Sequence, residues 1–244
     1  MAKILKYELR RLLLNKFFIG LLVINGIFAW YILVSDTIAG VAYTAPFSVW
    51  SFSAYLSSVL PMATITLLFL LTFFHSKKEK QVKVLTTATP VDAFRYAMIR
   101  NIAVALGFLL ILILEIGMSV YFYSALFAFR EYTAFIIPAL VTIVPCFVFA
   151  LGAGHLAGRI HPGLLYALMP VAFAMAFARL PGGFDPFGGG YYTSAPLSLP
   201  IGADGEPAFV LNAVFIAARA LYSAVGIAFF FLGTRRRRRK SELA

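Results

Sequence analysis

Two charged residues stand deep inside apolar runs of this sequence: Glu115 in "GFLLILILEIGMSV" and Arg219 in "VFIAARALYSAV". A charge held in hydrocarbon is costly unless it is paired or wet. Counted from the end of each run that abuts basic residues, both lie 14 residues in. At 1.5 Å per residue that is a depth of roughly 21 Å. Equal depth and opposite sign predict an intramembrane polar pair, Glu115 with Arg219. Such a pair either lines or gates a polar path, or locks two helices together. Arg219 snorkelling on its own is the other reading.

The remaining reactive residue types are sparse. Cys146 is the single cysteine and sits in the apolar run "IVPCFVF". It excludes an intrachain disulfide and reads as a small core residue. His155 and His161 are too few for a metal site. No H-E-x-x-H or G-x-S-x-G occurs, so there is no visible apparatus for hydrolysis. No G-x-x-x-x-G-K-[ST] phosphate loop occurs either. The nearest glycine cluster, "GAGHLAG" at 152–158, lacks the lysine; Gly154 and Gly158 read as small residues for close helix packing. The chain is expected to be no enzyme and to hold no cofactor or metal.

Elements that place Glu115 and Arg219 in hydrocarbon must be membrane spans. Of the 244 residues, 61% are apolar and 13% charged, against about 45–50% and 25% in soluble domains. Six segments approach the ~20 apolar residues that a bilayer crossing needs: about 17–34, 49–74, 101–127, 133–153, 163–178 and 208–233. Arg159, His161 and Pro162 separate the fourth from the fifth, which is short. The fold class expected is an all-α polytopic membrane protein, a single transmembrane domain over 1–244. Pro61, Pro138, Pro145 and Pro170 fall within spans and should kink them.

Charge placement orients the spans. With a cytoplasmic N-terminus, the inner side holds the basic clusters at 3–16, 77–100, Arg159 and the tail 234–244, eighteen residues in all. Only Arg130 and Arg179 lie outside, so both termini are expected in the cytoplasm of a cell-membrane protein. The net charge of +11 is thus a flanking pattern, and nucleic acid is not an expected partner. The start resembles a signal peptide but offers no small-residue cleavage site, and it reads as uncleaved. Residues 2–16 pattern as a helix with Leu5, Leu9, Leu12 and Leu13 on one side and Lys3, Lys6, Arg10 and Arg11 mostly opposite. That is a basic amphipathic helix lying in the inner interface, or a plain positive flank.

One polar insert interrupts the oil, "SKKEKQVKVLTTATPVDAFRYAMIR" at 76–100. Its first half is a polar helix candidate with Val82, Val84 and Leu85 as a small apolar element. Pro90 disfavours helix at Thr89 but suits a first helical position, with Thr89 as N-cap and Asp92 in capping-box register. One helix is expected to end near Ala88 and another to run from Pro90 into the third span. The resulting elbow is either a docking surface for a cytosolic partner or a loop that binds anionic lipid.

The order of these parts resembles the membrane subunit of ABC type-2 exporters. It has a basic interfacial helix, two spans, an "E-x-x-x-K-x-L-x-x-x-x-P" stretch inside and four more spans. In that family the loop after span two carries an acidic residue, a Gly-Thr/Leu-rich turn, a Thr-Pro or Ser-Pro and then a basic residue; Glu79, Leu85, Thr89-Pro90 and Arg100 match. The family's glycine has no counterpart, Lys83 or a neighbour taking its place. The resemblance implies a coupling helix seated in a groove of a cytosolic ABC ATPase. Glu79, Lys80, Lys83, Val84 and Leu85 would face that partner, and Pro90 would pass its motion to span three. It also implies ATP and Mg on the partner chain, and a homodimer or a heterodimer with a related permease, surrounded by membrane lipids.

Two functions stay open on the sequence. One is an export permease driven by a separate ATPase. The other is a membrane protein without ATP coupling, such as a secondary transporter or an immunity or assembly factor. The outer loop 179–207, rich in Gly and Pro with Phe184, Phe187, Tyr191 and Tyr192, reads either as a lid over an exit or as a plain surface loop.

Overall fold

Asn15 divides the first two helices. α1 (Ala2–Leu13) precedes it, and its side chain accepts the Phe17 N–H at 3.1 Å to cap α2 (Lys16–Ser35). The structure, a computed structural model, describes residues 2–75, 93–178, 183–203 and 205–234. After α2 come α3 (Val49–His75), α4 (Ala93–Phe127), α5 (Ile136–Ile160), α6 (Gly163–Ala176), the short α7 (Gly189–Ser194) and α8 (Ala213–Thr234). Among the described residues, extended pairing is limited to one isolated bridge, Ile201 with Pro207. The fold is all-α.

Helices α2, α3, α4, α5 and α8 are long and apolar enough to cross a membrane, which makes this a multi-pass membrane protein. α6 has 14 residues, about 21 Å of helix against a hydrocarbon core of about 30 Å. Two boundaries differ from the sequence reading for local reasons. α5 runs on to Ile160, because Gly152, Gly154 and Gly158 fit it closely against its neighbours. α8 starts only at Ala213, because Asn212 accepts the Phe215 N–H at 2.7 Å and caps it.

α3 is the hub, buried on nearly every face. Several of its hydroxyls are satisfied within the helix, as a dry interior requires: Ser53 donates to the Val49 carbonyl, Ser57 and Ser58 to Ala54, and Thr66 to Met62. The Asn25 amide of α2 donates to the Thr66 hydroxyl at 2.9 Å. α4 packs against α1, α2 and α3, and α5 lies between α3 and α8. Along the open side between α4 and α5 runs an apolar cleft of about 820 Å³, floored by Phe52 and Phe108.

α3, α5 and α8 run parallel. Phe52 stacks on Phe135 with ring centres 4.2 Å apart at one end, and Gly158 meets His75 at the other. A Cβ at Gly152 would collide with the Gly226 carbonyl, and one at Gly226 would stand 2.5 Å from the Val148 carbonyl. Further along, Arg159 donates to the Gly233 carbonyl. Since α5 and α8 point the same way, the chain between them must return along the height of the bundle, and α6 is the helix that does so.

The amphipathic reading of α1 holds: Leu12 is buried, Leu5, Leu9 and Leu13 pack on the core, and Lys6, Arg10 and Arg11 are exposed.

Candidate functional site

The insert residues Glu79, Lys80, Lys83, Val84, Leu85 and Pro90 lie outside the described residues. The helices on either side of them are joined directly. Arg100 of α4 donates to the Phe74 carbonyl of α3 at 2.6 Å, and its guanidinium lies 4.4 Å from the centre of the Phe74 ring. One turn earlier, the Tyr96 hydroxyl donates to Glu8 of α1 at 2.9 Å, and Glu8 pairs with Arg11 at 3.7 Å. A charged or charge-assisted bond at each step ties α1, α3 and α4 into one block at this end.

The expected pair of Glu115 and Arg219 is not made. The packing order is α4, α3, α5, α8, so two other helices separate the residues; equal depth in a bilayer does not make neighbours. Arg219 also lies only about two turns from the N-terminal end of α8. Glu115 is fully buried on α4, and its backbone carbonyl accepts the Tyr55 hydroxyl at 2.8 Å. Among the described residues no donor reaches either carboxylate oxygen. The Asn25 side-chain oxygen and the Tyr123 hydroxyl are likewise buried without partners.

Arg219 has a different task. Its fork donates to the carbonyls of Pro186 at 2.6 Å, Gly183 at 3.0 Å and Asp185 at 2.5 Å. Tyr222, one turn below, donates to the Phe184 carbonyl at 2.5 Å. Four consecutive carbonyls, 183 to 186, are thus all held by α8. The guanidinium also stacks 4.6 Å from the centre of the Phe215 ring. Arg suits such a cluster because its planar donors reach several acceptors without rearrangement. Gly183 is required there: its φ is +77°, and a Cβ would meet Phe215 at 2.7 Å.

Asp185 works in the opposite sense. Its carboxylate accepts the N–H groups of Gly188, of Gly189 at 3.1 Å and of Gly190 at 2.9 Å, which caps α7. α7 then buries Tyr191 and Tyr192. Tyr191 stacks on Phe215 at 4.3 Å and donates to the Val210 carbonyl. Tyr192 and Thr142 share a hydrogen bond of 2.5 Å. Trp50 donates to the Pro207 carbonyl at 3.0 Å, and Glu206 accepts the Ala45 N–H at 2.6 Å. The segment from 183 to 212 is therefore a folded cap on the N-terminal ends of α3, α5 and α8, built around a buried arginine.

Pro186 and Phe187 of this cap roof a chamber of about 320 Å³ between α3, α5, α6 and α8. The chamber wall is almost wholly hydrocarbon; Thr64 and Cys146 contribute a contact of 3.5 Å between hydroxyl and thiol. Among the described residues no group of three metal-ligating side chains occurs.

Sequence reasoning missed Asp185, Tyr222 and Trp50 as anchors. The signal within reach was "DPFGGG", an acid three residues ahead of a glycine run, which is a helix-start pattern. The other two act through contacts across the fold. No family model, curated protein or solved structure is significantly similar to this chain.

Proposed function

We propose that this chain is the membrane-spanning permease subunit of an export complex of the ABC type-2 kind, driven by ATP hydrolysed on a separate cytosolic chain. One observation carries the reading. The basic insert leads directly into α4, a single helix of 35 residues. Its length is about 52 Å, some 20 Å more than a hydrocarbon core. A rigid rod that starts beneath the membrane and passes Glu115 is suited to carry a push from a docked partner across the bilayer. The joint of Glu8, Tyr96, Arg100 and Phe74 lets that push move α1 and the end of α3 as well.

On this reading the membrane is crossed six times, with α6 and the cap together making the fifth crossing, and both termini are cytoplasmic. Val84 and Leu85 enter an apolar groove on the ATPase, with Glu79, Lys80 and Lys83 as the polar rim, and Pro90 opens the rod. ATP and Mg belong to the partner, and a second permease chain completes the path.

The test is affinity capture of the tagged chain from its own membrane, with ATP turnover measured on the eluate. An ATPase lacking membrane spans should co-purify, Leu85→Asp should lose it, and Lys80→Ala should keep it, because interface energy concentrates in the apolar centre. ATP turnover by the chain alone, or full capture with Leu85→Asp, overturns the proposal. The unpartnered acid Glu115 favours one second reading, a transporter driven by protons without ATP. On that reading Glu115→Gln abolishes transport, and no ATPase is captured.

A further inference from the structure

We propose that the chamber beneath the cap is a binding site for one hydrocarbon chain, the acyl tail of a membrane-resident lipid, which enters sideways between α6 and α8. The inference deepens the export reading by naming a substrate class, and in that respect rests on it.

The volume of about 320 Å³ falls at the small end of ligand sites, which run from about 300 to 1,000 Å³. The space exists because the facing positions are small: Ala150 and Ala153 on α5 and Ala172 on α6. The lining offers a polar ligand few groups. Thr64 and Cys146 face each other, the Tyr222 hydroxyl donates to Phe184, and Arg219, whose terminal nitrogens hold the three cap carbonyls while its Nε has no partner, stands outside the lining. A ligand offering hydrogen-bonding groups to this wall would leave them unmet, which selects against it.

The route in is lateral. α5, α8 and α3 form the closed side, while α6 packs on α3 and α5. Val171 of α6 lines the chamber and is exposed at 53%, so the mouth opens where α6 faces the bilayer. Above, Pro186 and Phe187 close the chamber through the same carbonyls that Arg219 and Tyr222 hold. The cap is thus the chamber's outer wall, and releasing it from α8 opens the chamber outward.

The experiment uses the full chain in lipid nanodiscs with a photoreactive palmitoyl phospholipid carrying a diazirine near the chain end. Cross-linked peptides are mapped by mass spectrometry. Adducts should concentrate on the chamber-facing positions of 146–153 and 168–175. Val171→Trp blocks the mouth at an exposed position that does not load the core, and Ala172→Trp fills the interior. Each should reduce those adducts about tenfold, leaving adducts elsewhere unchanged. Free photoreactive palmitate, run in parallel, separates the sources: weaker labelling by the free acid supports a phospholipid, and equal or stronger labelling overturns that assignment. Adducts spread evenly over the outward faces of α2 and α4, or unchanged with Val171→Trp, overturn the site. Because no ATPase enters the assay, a failed capture of the ATPase leaves this result standing, and the reverse also holds.

Discussion

Replacing Arg219 by methionine tests whether the cap depends on one guanidinium. The side chain makes three hydrogen bonds to Gly183, Asp185 and Pro186. Bonds from a charged donor contribute about 1.5–3 kcal/mol each, so the gross loss is about 5–9 kcal/mol. Against this, the variant no longer has to bury a cation, which returns several kcal/mol. A net loss of about 3 kcal/mol in cap docking follows, because three carbonyls are left bare in a site that admits no donor. That corresponds to about two decades in the docked-to-undocked ratio. Amide exchange reads it directly: the Gly189 and Gly190 N–H groups sit on Asp185, and Tyr192 N–H on the Gly188 carbonyl. Their exchange should speed up about a hundredfold in Arg219→Met and about tenfold in Arg219→Lys, which keeps the charge but loses the planar fork. Trp50 gives a second readout. Its indole lies 4.7 Å from Phe209 and donates to Pro207, so undocking should red-shift its emission in a Trp30→Phe background. Exchange within about twofold of the parent, with unchanged emission, would refute the latch.

Other outcomes follow from the packing. Gly152→Val drives a side chain into the Gly226 carbonyl; it should lower stability by at least the ~1–3 kcal/mol typical of overpacking. Gly20→Ala, with open space around it, should be neutral or stabilising, and thermal unfolding in detergent compares the two. Glu115→Gln should cost no stability, since the carboxylate it replaces has no donors; a marked drop in melting temperature contradicts the burial argument. Tyr96→Phe removes the bond to Glu8, worth about 1.5–3 kcal/mol. Trypsin should then cut faster at Arg10 and Arg11, and an unchanged rate means α1 is held by its leucines alone.

The long helices were legible because a bilayer sets their length and leaves little else to decide. The α1 face was legible because Leu5, Leu9, Leu12 and Leu13 repeat at helical spacing, and Gly154 and Gly158 because only small residues let helices approach so closely. The fate of Arg219 was not. Its partners are backbone carbonyls, which every residue possesses, so no pattern of side chains advertises them. Depth along a span carried no information about which helices adjoin, and that is why Glu115 was matched with a cation two helices away. The cap was hidden for a related reason. Its local signals, Gly and Pro, are those of any loop, while its anchors lie as far away as Trp50 and Thr142.

The separation of those anchors along the chain sets an order of assembly during synthesis. Trp50 must wait 157 residues for Pro207, and Ala45 must wait 161 for Glu206. At about 5–20 residues per second this is a delay of about 8–30 s, during which the Trp50 end of the central helix stands unroofed. Glu8 waits 88 residues for Tyr96, so α1 lacks this bond until α4 has been made. Gly183, Asp185 and Pro186 wait for Arg219, which arrives with α8. The cap is therefore latched only once α8 has been made, and until then the carbonyls of Gly183, Asp185 and Pro186 lack their donor.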